Sequence, residues 1–157
     1  MLCRVHASAQ KGNKLNLTGD SNYDEAWGNY KSPKNTLSIL AHGNESNLID
    51  GRGGKEVELY YKQLADVVAG SGQWKPGMGI ELIACNAGNT DLVRYPVALS
   101  LSMELNERFS TNVTVSAPSN YIFVWSNGGT TISNKAFGYP TFFGNRHMNT
   151  WKNGALQ

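Results

Sequence analysis

Two short apolar runs, each closed by a reactive side chain and then by Gly and Asn, constrain the fold of this chain most. One is Gly79-Ile-Glu-Leu-Ile-Ala-Cys85-Asn-Ala-Gly-Asn89. Ile80, Leu82, Ile83 and Ala84 form an apolar run with β-branched members, bounded by glycines, which is the pattern of a strand buried on both faces. Cys85 falls where the strand stops and a Gly/Asn turn begins, at the carboxyl end, where open α/β sheets place their ligand crevice. Packing alone would also account for it, because free cysteine is among the most buried residue types. The other run, Thr36-Leu-Ser-Ile-Leu-Ala-His42-Gly43-Asn44, repeats the design with an imidazole. One amphipathic segment, long enough for a crossover helix, lies between them. A right-handed crossover makes the two strands parallel and neighbouring, so that His42 and Cys85 emerge side by side. Imidazole beside thiol is an activated-nucleophile pair, and that tips the reading from packing to catalysis.

The length, 157 residues, sets a single domain spanning 1–157 that can bury a core without staples. A formal net charge of +2, with no run of like charges and no basic face, argues against a nucleic-acid partner. The two cysteines, Cys3 and Cys85, have neither metal-ligand nor C-x-x-C spacing. No metal or cofactor is expected, and both thiols are expected to be free, as in a reducing compartment. The N-terminus has no apolar signal region and no window reaches the length of a membrane span. The expectation is a cytoplasmic chain, or one secreted or delivered into a target cell by a dedicated system, or a fragment of a larger protein.

Along the chain, Leu2 to Ala7 reads as a first strand, with Cys3 and His6 structural. Lys14 to Thr18 reads as a short edge strand and Asp24 to Trp27 as a helical turn with acids at its start. Asn44 to Gly54 reads as a polar loop. Its Gly51-Arg-Gly-Gly segment lacks the Lys-Ser/Thr pair of a phosphate loop and is expected to be a flap beside the site. Apolar spacing predicts a helix over Lys55 to Ala69, stopped by Gly70, and another over Val97 to Phe109 behind Pro96. Asn112 to Ser116 reads as a strand closed by Ala117-Pro118. Tyr121 to Trp125, Ser126-Asn-Gly-Gly and Thr130 to Ser133 read as a hairpin. The aromatic tail from Phe137, with Phe142, Phe143 and Trp151, is expected over one sheet edge. The order makes an α/β sandwich of three layers, with a central, mostly parallel sheet flanked by helices.

The chain resembles the caspase-like (clan CD) cysteine peptidases, nearest to the cysteine protease domains of bacterial autoprocessing RTX toxins. The likeness rests on Leu37-Ser-Ile-Leu-Ala-His42-Gly43, on Ile80-Glu-Leu-Ile-Ala-Cys85-Asn-Ala-Gly88, and on Val97 to Phe109 followed by Val113-Thr-Val-Ser-Ala-Pro118, and it covers roughly residues 36–125. It implies a caspase-like fold and a cysteine endopeptidase, in the manner of an effector or toxin domain. Cys85 would be the nucleophile and His42 the acid/base, with the backbone N–H groups of Gly43 and Cys85 as the oxyanion hole. Chain order separates it from papain-like enzymes, which place Cys before His. The chemistry fits these roles. A thiol of pKa about 8.5 is a few per cent thiolate at neutral pH and gains from a nearby imidazole. Imidazole, titrating near 6.5, can also protonate the leaving amine.

No third residue orienting His42 is evident; Glu45 and Asp50 are candidates that a polar loop would carry anyway. In such a fold the strand after the Cys strand ends beside the nucleophile, so Ser116, Ala117, Ser119 and Asn120 are expected to bind substrate. That segment has no Arg to meet a P1 aspartate, so P1 is expected to be uncharged, with Arg52 and Arg94 the nearest alternatives. A protein or peptide substrate follows, with a cognate inhibitor or immunity protein as a further partner. Two other readings compete: a binding module that kept the fold without turnover, and a cysteine-dependent acyltransferase or deamidase using the same dyad.

Overall fold

The structure, a computed structural model, describes residues 13–91, 93–133 and 148–157. The strand expected at Leu2–Ala7, with Cys3 and His6, and the tail residues Phe137, Phe142, Phe143 and His147 lie outside the described residues. The described part is mixed α/β around a mostly parallel central sheet. In chain order it has β1 (Lys14–Asn16), a 3-10 turn (Ser21–Tyr23), α1 (Asp24–Asn29), β2 (Thr36–Leu40), β3 (His42–Gly43), β4 (Leu48–Asp50) and β5 (Val57–Leu59). Then follow α2 (Tyr61–Gly70), β6 (Gly79–Ile83), α3 (Val97–Phe109), β7 (Thr114–Pro118), β8 (Tyr121–Val124), β9 (Thr130–Ser133), β10 (Met148–Lys152) and β11 (Ala155–Leu156).

The central sheet has the order β1-β2-β6-β7-β10-β11. Strands β1, β2, β6 and β7 pair in parallel, whereas β10 joins β7 antiparallel and carries β11 as a hairpin. The two apolar runs are therefore adjacent parallel strands, with Thr36 opposite Gly79 and Leu40 opposite Ile83. Side chains alternate across the sheet. On one face Leu37, Ile39, Ile80 and Leu82 join Leu64 of α2 and Leu101 and Leu105 of α3 in the main core. On the other, Leu40 and Ile83 pack with Trp27 of α1, against Tyr23, Tyr30, Ile122 and Val124. One face thus carries two helices, and the other carries a short helix and the β8–β9 hairpin.

Three stretches differ from the sequence expectation. The loop over 44–54 contains β4, and the helix expected from Lys55 starts at Tyr61. Val57–Leu59 instead pairs with β4, Leu59 opposite Leu48, and both leucines are buried. A β-branched residue at 57 and the gain from burying Leu59 outweigh a helical start that has no side-chain cap at Tyr60. The strand expected to end at Ser116 also runs on through Ala117 and Pro118, which pair with β10.

Candidate functional site

Beyond Leu40 and Ile83 the two strands continue level for one more step, the Ala41 N–H donating to the Ile83 carbonyl at 3.2 Å. The paired stretch ends at Leu40 opposite Ile83, and His42 and Cys85 each follow two residues later at the carboxyl edge of the sheet. The chains then diverge. His42 and Gly43 turn into a small second sheet, opposite Ile49 and Leu48, while Cys85 opens a tight turn. Both side chains emerge on the face of Leu40 and Ile83. The His42 ring meets Tyr23 edge-on, centroids 5.6 Å apart at 72°. The Cys85 Sγ points to the Ile122 carbonyl of β8 at 3.9 Å.

The Cys85 turn is held from several sides. Asn86 takes the left-handed conformation (φ 57°), which Asn tolerates best after Gly. The Asn86 N–H donates to the Asn120 carbonyl and the Gly88 N–H to that of Pro118, both at 3.0 Å. The Asn149 side-chain amide of β10 donates to the Gly88 carbonyl at 2.8 Å. Helix α3 joins the two loops: the Val97 N–H donates to the Glu45 carbonyl at 2.7 Å and the Ala98 N–H to the Ala87 carbonyl at 3.2 Å. Amides that a helix start would otherwise leave unpaired thereby hold the His loop and the Cys loop in one frame.

His42 is exposed and Cys85 half-buried, and no hydrogen bond links them. Burial pushes the Cys85 thiol above its ordinary pKa, and backbone hydrogen bonding at Ile122 and at Cys85 itself only partly offsets this. The resting thiol is therefore neutral at physiological pH.

Gly43 has a packing reason to be glycine. A Cβ there would lie 2.7 Å from Leu48 Cδ2 and 2.8 Å from the Asn47 carbonyl oxygen. Ser119 and Asn120 keep surface at the β7–β8 corner, next to the Cys85 turn. Ser116 shares its hydroxyl with Thr150 at 2.9 Å, and the Ala117 side chain is wholly buried in the main core. Of the four residues expected to bind substrate, Ser119 and Asn120 thus have side-chain surface beside the turn. Arg52 is forked onto Asp50 at 2.9 and 2.7 Å, which holds the Asp50 carboxyl below the usual carboxylate range, and Arg94 lies over the Tyr95 ring. The segment expected to be a flap is stitched to the exit of β1, Gly51 N–H to the Leu17 carbonyl at 2.8 Å.

Among the described residues no group of three or more His, Cys, Asp or Glu is assembled to hold a metal ion, and no helix is long and apolar enough to cross a membrane. Sequence reasoning missed Tyr23 and Asn149. The Asp20 cap before Tyr23 is a local signal for the turn that carries it, whereas nothing local marks Asn149.

A family model described as a domain of unknown function, DUF8616, matches residues 13–132. The chain belongs to this family. Searches of curated proteins and of solved structures find no match. The DUF8616 segment runs from β1 through most of β9, so it contains His42, Cys85 and Tyr23, while β10 with Asn149 follows it.

Proposed function

We propose that this DUF8616 domain is a caspase-like cysteine endopeptidase, with Cys85 as nucleophile and His42 as acid/base. The observation that supports the reading is the parallel register of β2 and β6, which ends with Leu40 opposite Ile83, two residues before His42 and Cys85 on the same face at the carboxyl edge. In this mechanism His42 takes the thiol proton as Cys85 sulfur bonds to the scissile carbonyl carbon. The oxyanion meets the backbone N–H groups of Gly43 and Cys85, each worth roughly 3 kcal/mol if lost. His42 then gives the proton to the departing amine as the C–N bond breaks, and water hydrolyses the thioester. Burial that raises the Cys85 thiol above its ordinary pKa increases what a nearby general base can contribute.

P1 is uncharged in this proposal, because Arg52 and Arg94 are engaged elsewhere and Ser119 and Asn120 supply only a hydroxyl and an amide. The role suits an effector domain acting on proteins in the compartment that receives it.

The test is incubation of wild type and Cys85→Ala with a proteome, reading new N-termini by mass spectrometry. New termini that depend on Cys85 support the proposal, and identical profiles sink it. A second reading, a binding module without turnover, is favoured by one observation: the Cys85 sulfur engages Ile122, not His42. Reaction of Cys85 with a peptide-derived electrophile separates the two.

A further inference from the structure

His42 is exposed, and among the described residues its side chain takes part in no hydrogen bond and no ion pair. An imidazole in that state samples its rotamers freely unless something packs on it. Tyr23 does, edge-to-face at 5.6 Å. We propose that Tyr23 is the positioning residue for His42, an aromatic abutment where other sites use a carboxylate; the inference rests on the dyad reading above.

The abutment is itself braced. Tyr23 closes a 3-10 turn in which the Asp20 carboxylate accepts the Asn22 N–H at 2.9 Å and the Asp20 carbonyl accepts the Tyr23 N–H at 3.3 Å. Its ring packs on the cluster of Trp27, Leu40 and Ile83. The far end of α1 is tied to three separate elements. Lys14 Nζ from β1 donates to the Trp27 and Tyr30 carbonyls at 2.6 and 3.0 Å. The Tyr30 hydroxyl donates to the Glu81 carboxylate of β6, and the Asn29 amide donates to the Ser126 carbonyl of the β8–β9 turn at 2.7 Å. Precise placement of a reacting group needs a supporting shell whose own side chains cannot move. Tyr23 has that shell, and the contact it makes comes from its ring, so phenylalanine can replace it.

The experiment uses the full chain with Tyr23→Phe, Tyr23→Leu and His42→Ala. It reads the iodoacetamide rate at Cys85, resolved from Cys3 by peptide mass spectrometry, and the NMR shifts of the His42 ring protons, assigned by their loss in His42→Ala. Tyr23→Leu is expected to slow Cys85 about three- to tenfold, the range an aromatic pair supplies. It should also move the His42 protons to the shifts of a free imidazole. Tyr23→Phe should keep the rate within about twofold and retain the ring-current displacement. Should Tyr23→Leu fail to fold, Tyr23→Met is read in its place.

If His42→Ala is slow but Tyr23→Leu reacts like wild type, the positioning role is wrong and the dyad survives. If His42→Ala changes nothing, the dyad reading itself fails. A Tyr23→Phe rate as slow as that of Tyr23→Leu, or His42 protons without ring-current displacement in wild type, also overturns the inference.

Discussion

Cys85 shows what can and cannot be read from a residue's own neighbourhood. Its place at a strand end is written in the apolar run before it and the Asn-Ala-Gly turn after it. Its burial under Ile122, 37 residues away, is not, because that contact exists only once β8 folds back. Burial raises the thiol's pKa in the folded chain above its unfolded value of about 8.5. The native state then holds its proton more tightly than the unfolded state. The stabilisation is complete below the unfolded pKa and is lost as pH rises through the folded one. Unfolding free energy measured between pH 7 and 10 should therefore fall more steeply in wild type than in Cys85→Ala. Parallel curves would show the thiol to be unperturbed. Tyr30 behaves in the same sense: burial first, then its bond to Glu81, lifts its hydroxyl well above the ordinary range. Its stabilisation is likewise lost only on the alkaline side, above the unfolded tyrosine pKa near 10.

At the scale of elements, strong local patterns survived folding and weak ones were overruled. The β2 and β6 runs, α3 and the β8–β9 hairpin stand where their periodicity and turn residues put them. The stretch from 44 to 60 did not, because β4 and β5 are three residues each and their pairing, not their own pattern, defines them. The β10–β11 hairpin has a local signal of its own: Asn153 and Gly154 are both left-handed (φ 53° and 80°), as the Asn-Gly signal of a two-residue turn requires. Gly43 belongs to this scale as well. The resemblance implies only a backbone N–H at this position, yet the Asn47–Leu48 segment leaves no space for a side chain there. Gly43→Ala should cost about 1–3 kcal/mol in a denaturant titration, as overpacking does, before any effect on catalysis is considered. Unchanged stability with lost activity would mean that the glycine serves the substrate alone.

Over the whole molecule, the candidate site is assembled from both ends of the chain. The His42 ring meets Tyr23 of the 3-10 turn near the start, and the Cys85 turn is held by β10, which follows the family-matched segment. Trp151 on β10 is 1% exposed in the main core, and its ring would lie 3.0 Å from a Cβ at Gly88. Asn149, also buried, supplies the donor for the Gly88 carbonyl. Replacing Trp151 by Ala should cost about 3–5 kcal/mol but also strips packing from the Gly88 turn. Leu64→Ala in α2, at a wholly buried side chain, costs about 2–5 kcal/mol as a general loss of stability. Asn149→Ala is the sharper probe. It leaves a buried carbonyl without its donor, for about 1–3 kcal/mol, and the strain falls on the turn that carries Cys85. With that turn loosened, the thiol should be less desolvated, so Cys85 should alkylate faster at neutral pH even as the protein becomes less stable. A merely weakened fold would speed Cys85 in any core variant, so comparison with Leu64→Ala at equal denaturation midpoint, reached by adjusting urea, isolates the local effect. If the two variants then react alike at Cys85, β10 supports the sheet without governing the site.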